Sequence, residues 1–173
     1  MPGSTIVPFG AATPKLGAGV FVASGARLIG DLVLGDDANV WFNTVIRADV
    51  HYVRIGARTN IQDNATVHVT EQVAPCVIGD DVTVGHNALV HACTVEDLCL
   101  IGMGSVVLDG AVIRTGSLVA AGAVVPPGKT YPPHSLILGS PAKVVRTLTD
   151  LERQGLRDSA ARYVLTARAY RSP

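Results

Sequence analysis

Aromatic side chains are scarce in this 173-residue chain, at 5%, although 48% of it is hydrophobic. A core with so few rings has to come from Val, Ile, Leu and Ala in repetitive packing. Net charge is absent too. Fourteen basic residues balance fourteen acidic ones, so the basic footprint of a nucleic-acid or anionic-membrane binder is missing. No apolar run approaches the ~20 residues that span a bilayer. The opening Met1-Pro2-Gly3-Ser4-Thr5 lacks the basic flank and apolar stretch of a secretion signal, and a cytoplasmic location is expected. Cysteine is sparse as well. Cys76, Cys93 and Cys99 are odd in number and show no C-x-x-C spacing, which argues against a disulfide framework or a thiolate zinc site and for buried free thiols.

What is present is a repeat. An aliphatic residue recurs every six positions through Val22, Leu28, Leu34, Val40 and Ile46, and again through Ile55, Ile61 and Val67. The register slips, returns at Ile78, Val84 and Val90, then runs Val95, Ile101, Val107, Ile113, Val119 and Val125. Small or β-branched residues commonly follow four places on, as at Ala26, Ala38, Ala65, Val82, Ala88, Ser105, Ala111, Ser117 and Ala123. A period of six matches neither an α-helix nor a simple alternating strand. It fits short strands joined by tight turns, each repeat making one flat side of a three-sided prism. The aliphatic ladder points to the axis, and Gly and Asx take the corners. Three sides per coil is about 18 residues, which gives roughly six coils. A β-sandwich would place turns about every 8–12 residues and fits less well.

The ends read differently. Residues 1–20 are expected to form an extended N-terminal arm, residues 21–135 the β-helix, and residues 136–173 a C-terminal tail and α-helix, one domain overall. The prolines of residues 126–135 lack N–H groups and are expected to end regular pairing. Thr149-Asp150-Leu151-Glu152 reads as a capping box that opens a helix. Leu156, Ala160, Tyr163, Val164 and Ala167 form its apolar stripe, arginines cover the rest, and Gly155 is its weak point.

Three histidines stand at notable spacing. His68 and His86 are 18 residues apart, so on this scheme they share one side of the prism, ~5 Å apart along its axis. His91 falls near the next side. One prism cannot easily aim three imidazoles at one point, whereas packed prisms can, which argues for a cyclic, threefold oligomer. Three neutral imidazoles with an open fourth position make a catalytic zinc pattern. His51 and His134 have no such context.

Ile46-Arg47-Ala48-Asp49, Asn60-Ile61-Gln62-Asp63-Asn64, Thr66-Val67-His68, Val84-Gly85-His86-Asn87 and Leu89-Val90-His91 resemble the signature segments of gamma-class carbonic anhydrases. So do Leu100-Ile101-Gly102-Met103-Gly104-Ser105 and Gly139-Ser140-Pro141-Ala142-Lys143, the latter shared with hexapeptide acyltransferases. The resemblance covers about residues 20–146 plus the final helix. It implies an all-β solenoid, a left-handed parallel β-helix of hexapeptide repeats with a C-terminal α-helix. The hand comes from the resemblance alone, since parallel crossovers are generally right-handed.

The resemblance further implies a homotrimer with a metal at each subunit interface, His68 and His91 coming from one subunit and His86 from the next. Zn2+ is the implied metal, with Fe2+ or Co2+ as alternatives, and the implied reaction is hydration of CO2 to bicarbonate. Arg47 and Asp49 match an interfacial pair, with Asp63 as a partner for Arg47. Gln62 matches a glutamine that hydrogen-bonds the reacting water. Tyr163 resembles a tyrosine facing the site, although core packing explains it equally well. The most active relatives carry an acid-bearing loop between the first two histidines. Residues 69–77 are too short for it and hold Glu71 as their only acid, and Ala48 replaces the usual glycine. Alternatives are a CoA-thioester hydrolase or hexapeptide acyltransferase, for which one histidine base would suffice, and a metal-stabilised trimeric scaffold.

Overall fold

A computed structural model describes residues 5–171, so residues 1–4 of the expected arm and residues 172–173 of the expected tail lie outside it. The chain winds as a three-sided parallel β-solenoid closed by one C-terminal helix. One face stacks strands from Phe21–Val22 through Asn60–Ile61, Thr83–Val84 and Leu100–Ile101 to Ser135–Gly139. Seven parallel strands stack there, one coil more than the periodicity suggested. A second face carries Val45–Ile55, Thr66–His68, Leu89–His91, Val106–Val107 and Val124–Val125. Arg27–Leu34 and Val45–Ile55 are long because each rounds a corner and continues on the third face, where Cys76–Ile78, Thr94–Val95 and Val112–Ile113 follow.

Every rung of the aliphatic ladder is buried, at 8% exposure or less, and the small residues four places on are buried beside it. Two-residue strands cannot hold together alone. Each becomes stable by stacking its apolar rung on the coils above and below, so the core is one continuous column. The three cysteines are free, buried thiols, and burial pushes Cys99 up to about 12.

Two sequence expectations require correction. The described part of the N-terminal arm is not separate from the β-helix. Thr5–Val7 and Lys15–Leu16 pair in parallel with Arg27–Leu34 and so extend the solenoid. Nor do the prolines end the pairing. Thr130–Tyr131 still pairs with Val112–Ile113, and Ser135–Gly139 with Leu118–Val119. Pro126, Pro127, Pro132 and Pro133 fall outside the strands, at corners, where no ladder hydrogen bond is demanded of them. Parallel winding stops one strand later, where Ala142–Thr147 turns back antiparallel on Ser135–Gly139.

The helix spans Asp150–Arg171 without a break at Gly155. Its capping box is formed: Thr149 N–H donates to Glu152 Oε2 at 2.8 Å, and Glu152 N–H donates to Thr149 Oγ1 at 3.2 Å. Leu156, Ala160, Val164 and Ala167 are buried on the solenoid, and the helix C-terminus reaches the first coils, with Arg168 on Asp37 and Arg171 donating to Gly19 O. Among the described residues no helix is long and apolar enough to cross a membrane.

Hydrogen bonds from Arg146, and then from Thr149, hold the Glu152 carboxyl at about 2, against an ordinary 4.5. A depressed carboxylate stabilises the fold above its unfolded value and loses that contribution as pH falls through the folded one. Glu152→Gln is therefore expected to melt below the parent at pH 6. The gap should close as thermal scans move from pH 4.5 towards 2, and a pH-independent gap would contradict the assignment.

Candidate metal centre

His68 and His91 come together, not His68 and His86. The two are paired in register on adjacent coils, 23 residues apart, with His68 Nδ1 and His91 Nε2 separated by 3.0 Å. The expected 18-residue step holds elsewhere, as from Ser117 to Ser135. It fails here because residues 70–74 make a small detour, closed by an antiparallel bridge between Thr70 and Ala74, that lengthens this coil. His86 stands at the corner before Leu89–His91, whereas His91 ends that strand, so the two lie at opposite ends of one face.

Each imidazole is backed by a carboxylate. His91 Nδ1 lies 2.6 Å from Asp109 Oδ1, His68 Nε2 3.3 Å from Asp49 Oδ1, and His86 Nδ1 2.8 Å from Asp63 Oδ2. Asp49 is held in turn by Arg47 at 2.5 Å. Within the chain Asp63 lies beside His86. Desolvation pushes Asp49 and Asp109 up, but it is outweighed by hydrogen bonds from Arg47 and His68 for the first and from Thr70 and His91 for the second, so both carboxyls sit below their ordinary range. Burial, with the charge of Arg47, pushes His68 down and keeps the ring neutral.

When both rings are neutral and their outer nitrogens donate to the carboxylates, the facing nitrogens of His68 and His91 are both acceptors. Two lone pairs at 3.0 Å repel unless something positive lies near them. A tetrahedral zinc-type ion at ~2.05 Å from each nitrogen separates its ligands by roughly 3.3 Å, so this pair suits two corners of such a site. Neutral imidazoles with carboxylate partners are the donor chemistry that zinc, cobalt and iron accept. Among the described residues of a single chain no group of three or more His, Cys, Asp or Glu side chains is placed to hold a metal ion.

His86 opens into a cavity of about 820 Å3 between the helix and the solenoid, lined also by Gln62, Asp63, Tyr163, Leu100 and Met103. Gln62 is 5% exposed and donates through Nε2 to Asn60 Oδ1 at 3.0 Å. Asn60 then donates to Thr83 Oγ1 at 2.9 Å, which meets Ser159 Oγ of the helix at 3.2 Å. Tyr163 packs edge-on against Trp41, 5.4 Å between centroids, and burial pushes its phenol up. Tyr163 therefore packs on Trp41 and borders the cavity. Asp109 escaped the sequence reading. It lies 18 residues beyond His91, so one coil step from that histidine would have found it.

No family model matches the chain. It is 47% identical to a carbonic anhydrase of Geobacillus kaustophilus over 167 residues, 96% of this chain and 91% of that protein. It is 42% identical over 165 residues to the mitochondrial gamma carbonic anhydrase 2 of Arabidopsis thaliana, 92% of this chain and 59% of that longer one. A crystal structure from Bacillus cereus, provisionally described as an acetyltransferase, superposes with a TM-score of 0.96 at 41% identity, covering 98% of each chain. The winding is that of the hexapeptide-repeat, left-handed β-helices.

Proposed function

The chain belongs to the gamma-class carbonic anhydrase family, and from that premise we propose that it hydrates CO2 reversibly to bicarbonate as a homotrimer. A divalent metal would be held at each seam by His68 and His91 of one subunit and His86 of the next, zinc first and iron or cobalt as alternatives. The carrying observation is that all three imidazoles have one nitrogen engaged by a carboxylate, while the second nitrogens of His68 and His91 face each other at 3.0 Å. The placement at opposite ends of one face supports the seam, because threefold packing would bring one subunit's His68–His91 corner to its neighbour's His86 corner. The metal, when bound, supplies Lewis acidity that makes water a nucleophile near neutral pH.

The chain's own groups do the rest. Gln62 spends its Nε2 on Asn60, so its Oε1 is left to accept from a water and orient it. Leu100, Leu118 and Val119 give the cavity an apolar wall suited to a small, uncharged substrate. Arg47 fixes Asp49 and through it the ring of His68. An acyl-transfer or thioesterase reading draws on the Bacillus cereus neighbour and on a cavity far larger than CO2. It needs one histidine and leaves the other His–Asp pairs without a task.

Stopped-flow CO2 hydration tests the reading, with zinc-loaded protein and, anaerobically, with iron-loaded protein. A rate above buffer in at least one is expected. No rate in either removes the hydratase assignment, and turnover of CoA thioesters in a parallel panel would replace it.

A further inference from the structure

We propose that Asp109 and Thr70 form a positioning pair that selects the metal-binding tautomer of His91. This rests on the reading of His91 as a ligand. Asp109 lies in a corner fixed from both sides: Gly110 N–H donates to Ala92 O at 2.8 Å, and Gly128 N–H donates to Asp109 O at 2.8 Å. The first of these bonds ties its coil to the residue after His91, so carboxylate and imidazole are locked on adjacent rungs. Thr70 occupies the same corner region from the other side, and Ala92 N–H donates to His68 O at 2.8 Å, which binds the coils of His68 and His91 together.

The side chains complete the device. The Thr70 hydroxyl donates to Asp109 Oδ2, which orients the carboxylate and leaves Oδ1 to accept from His91 Nδ1–H at 2.6 Å. A proton held on Nδ1 leaves a lone pair on Nε2, the atom that faces His68. Imidazole in water favours the opposite tautomer, with its proton on Nε2, which would turn an N–H towards the metal. Asp109 reverses that preference before any metal arrives. Thr70 is available for this because residues 70–74 fold back at once, closed by the bridge between Thr70 and Ala74. The short connection thus supplies a second contact to the carboxylate that serves one of the ligands.

The experiment compares the full-length protein with Asp109→Ala, Asp109→Asn, Thr70→Val and Thr70→Ser. In metal-free protein, imidazole nitrogen NMR should show the Nδ1–H form of His91 in the parent and a shift towards Nε2–H in Asp109→Ala. Zinc affinity, read by chelator competition, should fall about 10- to 100-fold in Asp109→Ala. Thr70→Val should lose several-fold, and Thr70→Ser, which keeps the hydroxyl, should match the parent. Asp109→Asn preserves the shape of the corner, so the comparison survives if the alanine variant folds poorly. An Nε2–H His91 in the parent, or unchanged tautomer and affinity in both Asp109 variants, would overturn the pair. A parent that shows the Asp109-dependent tautomer but holds no zinc would overturn the metal-site reading and leave the pair standing.

Discussion

His86→Ala and His91→Ala are each expected to give folded trimers that carry no metal and do not hydrate CO2, whereas co-production of the two in equal amounts should restore about one quarter of the sites. The fraction follows from symmetry. A complete site needs a subunit with an intact His68–His91 pair followed by one with an intact His86. Any mixed ring of three contains one such junction, about three quarters of randomly assembled rings are mixed, and one of three seams in each is whole. Metal per subunit by elemental analysis and hydration rate should both recover by that fraction. If the ligands all came from one chain, mixing would recover nothing. Recovery near zero in assemblies shown to contain both subunits would end the seam proposal.

The second large effect lies in the backbone. Gly30 has φ of 78°, and a Cβ built there would lie 2.1 Å from Ala48 O. The reason is topological: Arg27–Leu34 and Val45–Ile55 round the same corner together, with a register shift between Gly30 and Leu32. Gly30→Val combines left-handed strain on a β-branched residue with overlap on backbone, and about 3–5 kcal/mol should be lost. The atoms that must give way belong to Ala48, next to Asp49, so the carboxylate behind His68 should move as well. Denaturant midpoints and zinc affinity are expected to fall together. Gly155→Ala is the contrast, because nothing lies within 4 Å of its built Cβ on the exposed side of the helix. There a gain of about 0.5–1 kcal/mol is expected from helix propensity. A Gly30→Val protein as stable as the parent would refute the account of this corner.

The solenoid was legible because its signal is local and repeated. A six-residue period, resumed after each slip, picks out residues from Val22 to Val125 that are all buried, and the Thr149–Glu152 box marks where the helix begins. The centre was legible in its members but not in its pairing. His68 and His86 satisfy the average coil length, but the detour at residues 70–74 changes that length where it matters, and His91 takes the place beside His68. The prolines misled for a related reason: their cost depends on whether the position needs an N–H, and corner positions do not. The roles of Tyr163 and the cavity depend on the helix folding back over the solenoid, a contact for which the repeat carries no signal.

That return of the helix has a consequence for how the molecule opens. A stack of coils ordinarily frays like a zipper, each tip loosening on its own because every coil touches only its neighbours. Here Arg168 and Arg171, near the far terminus, grip Asp37 and Gly19 near the start, so the two tips share a clasp. Loosening the first coils therefore means releasing the end of the helix as well.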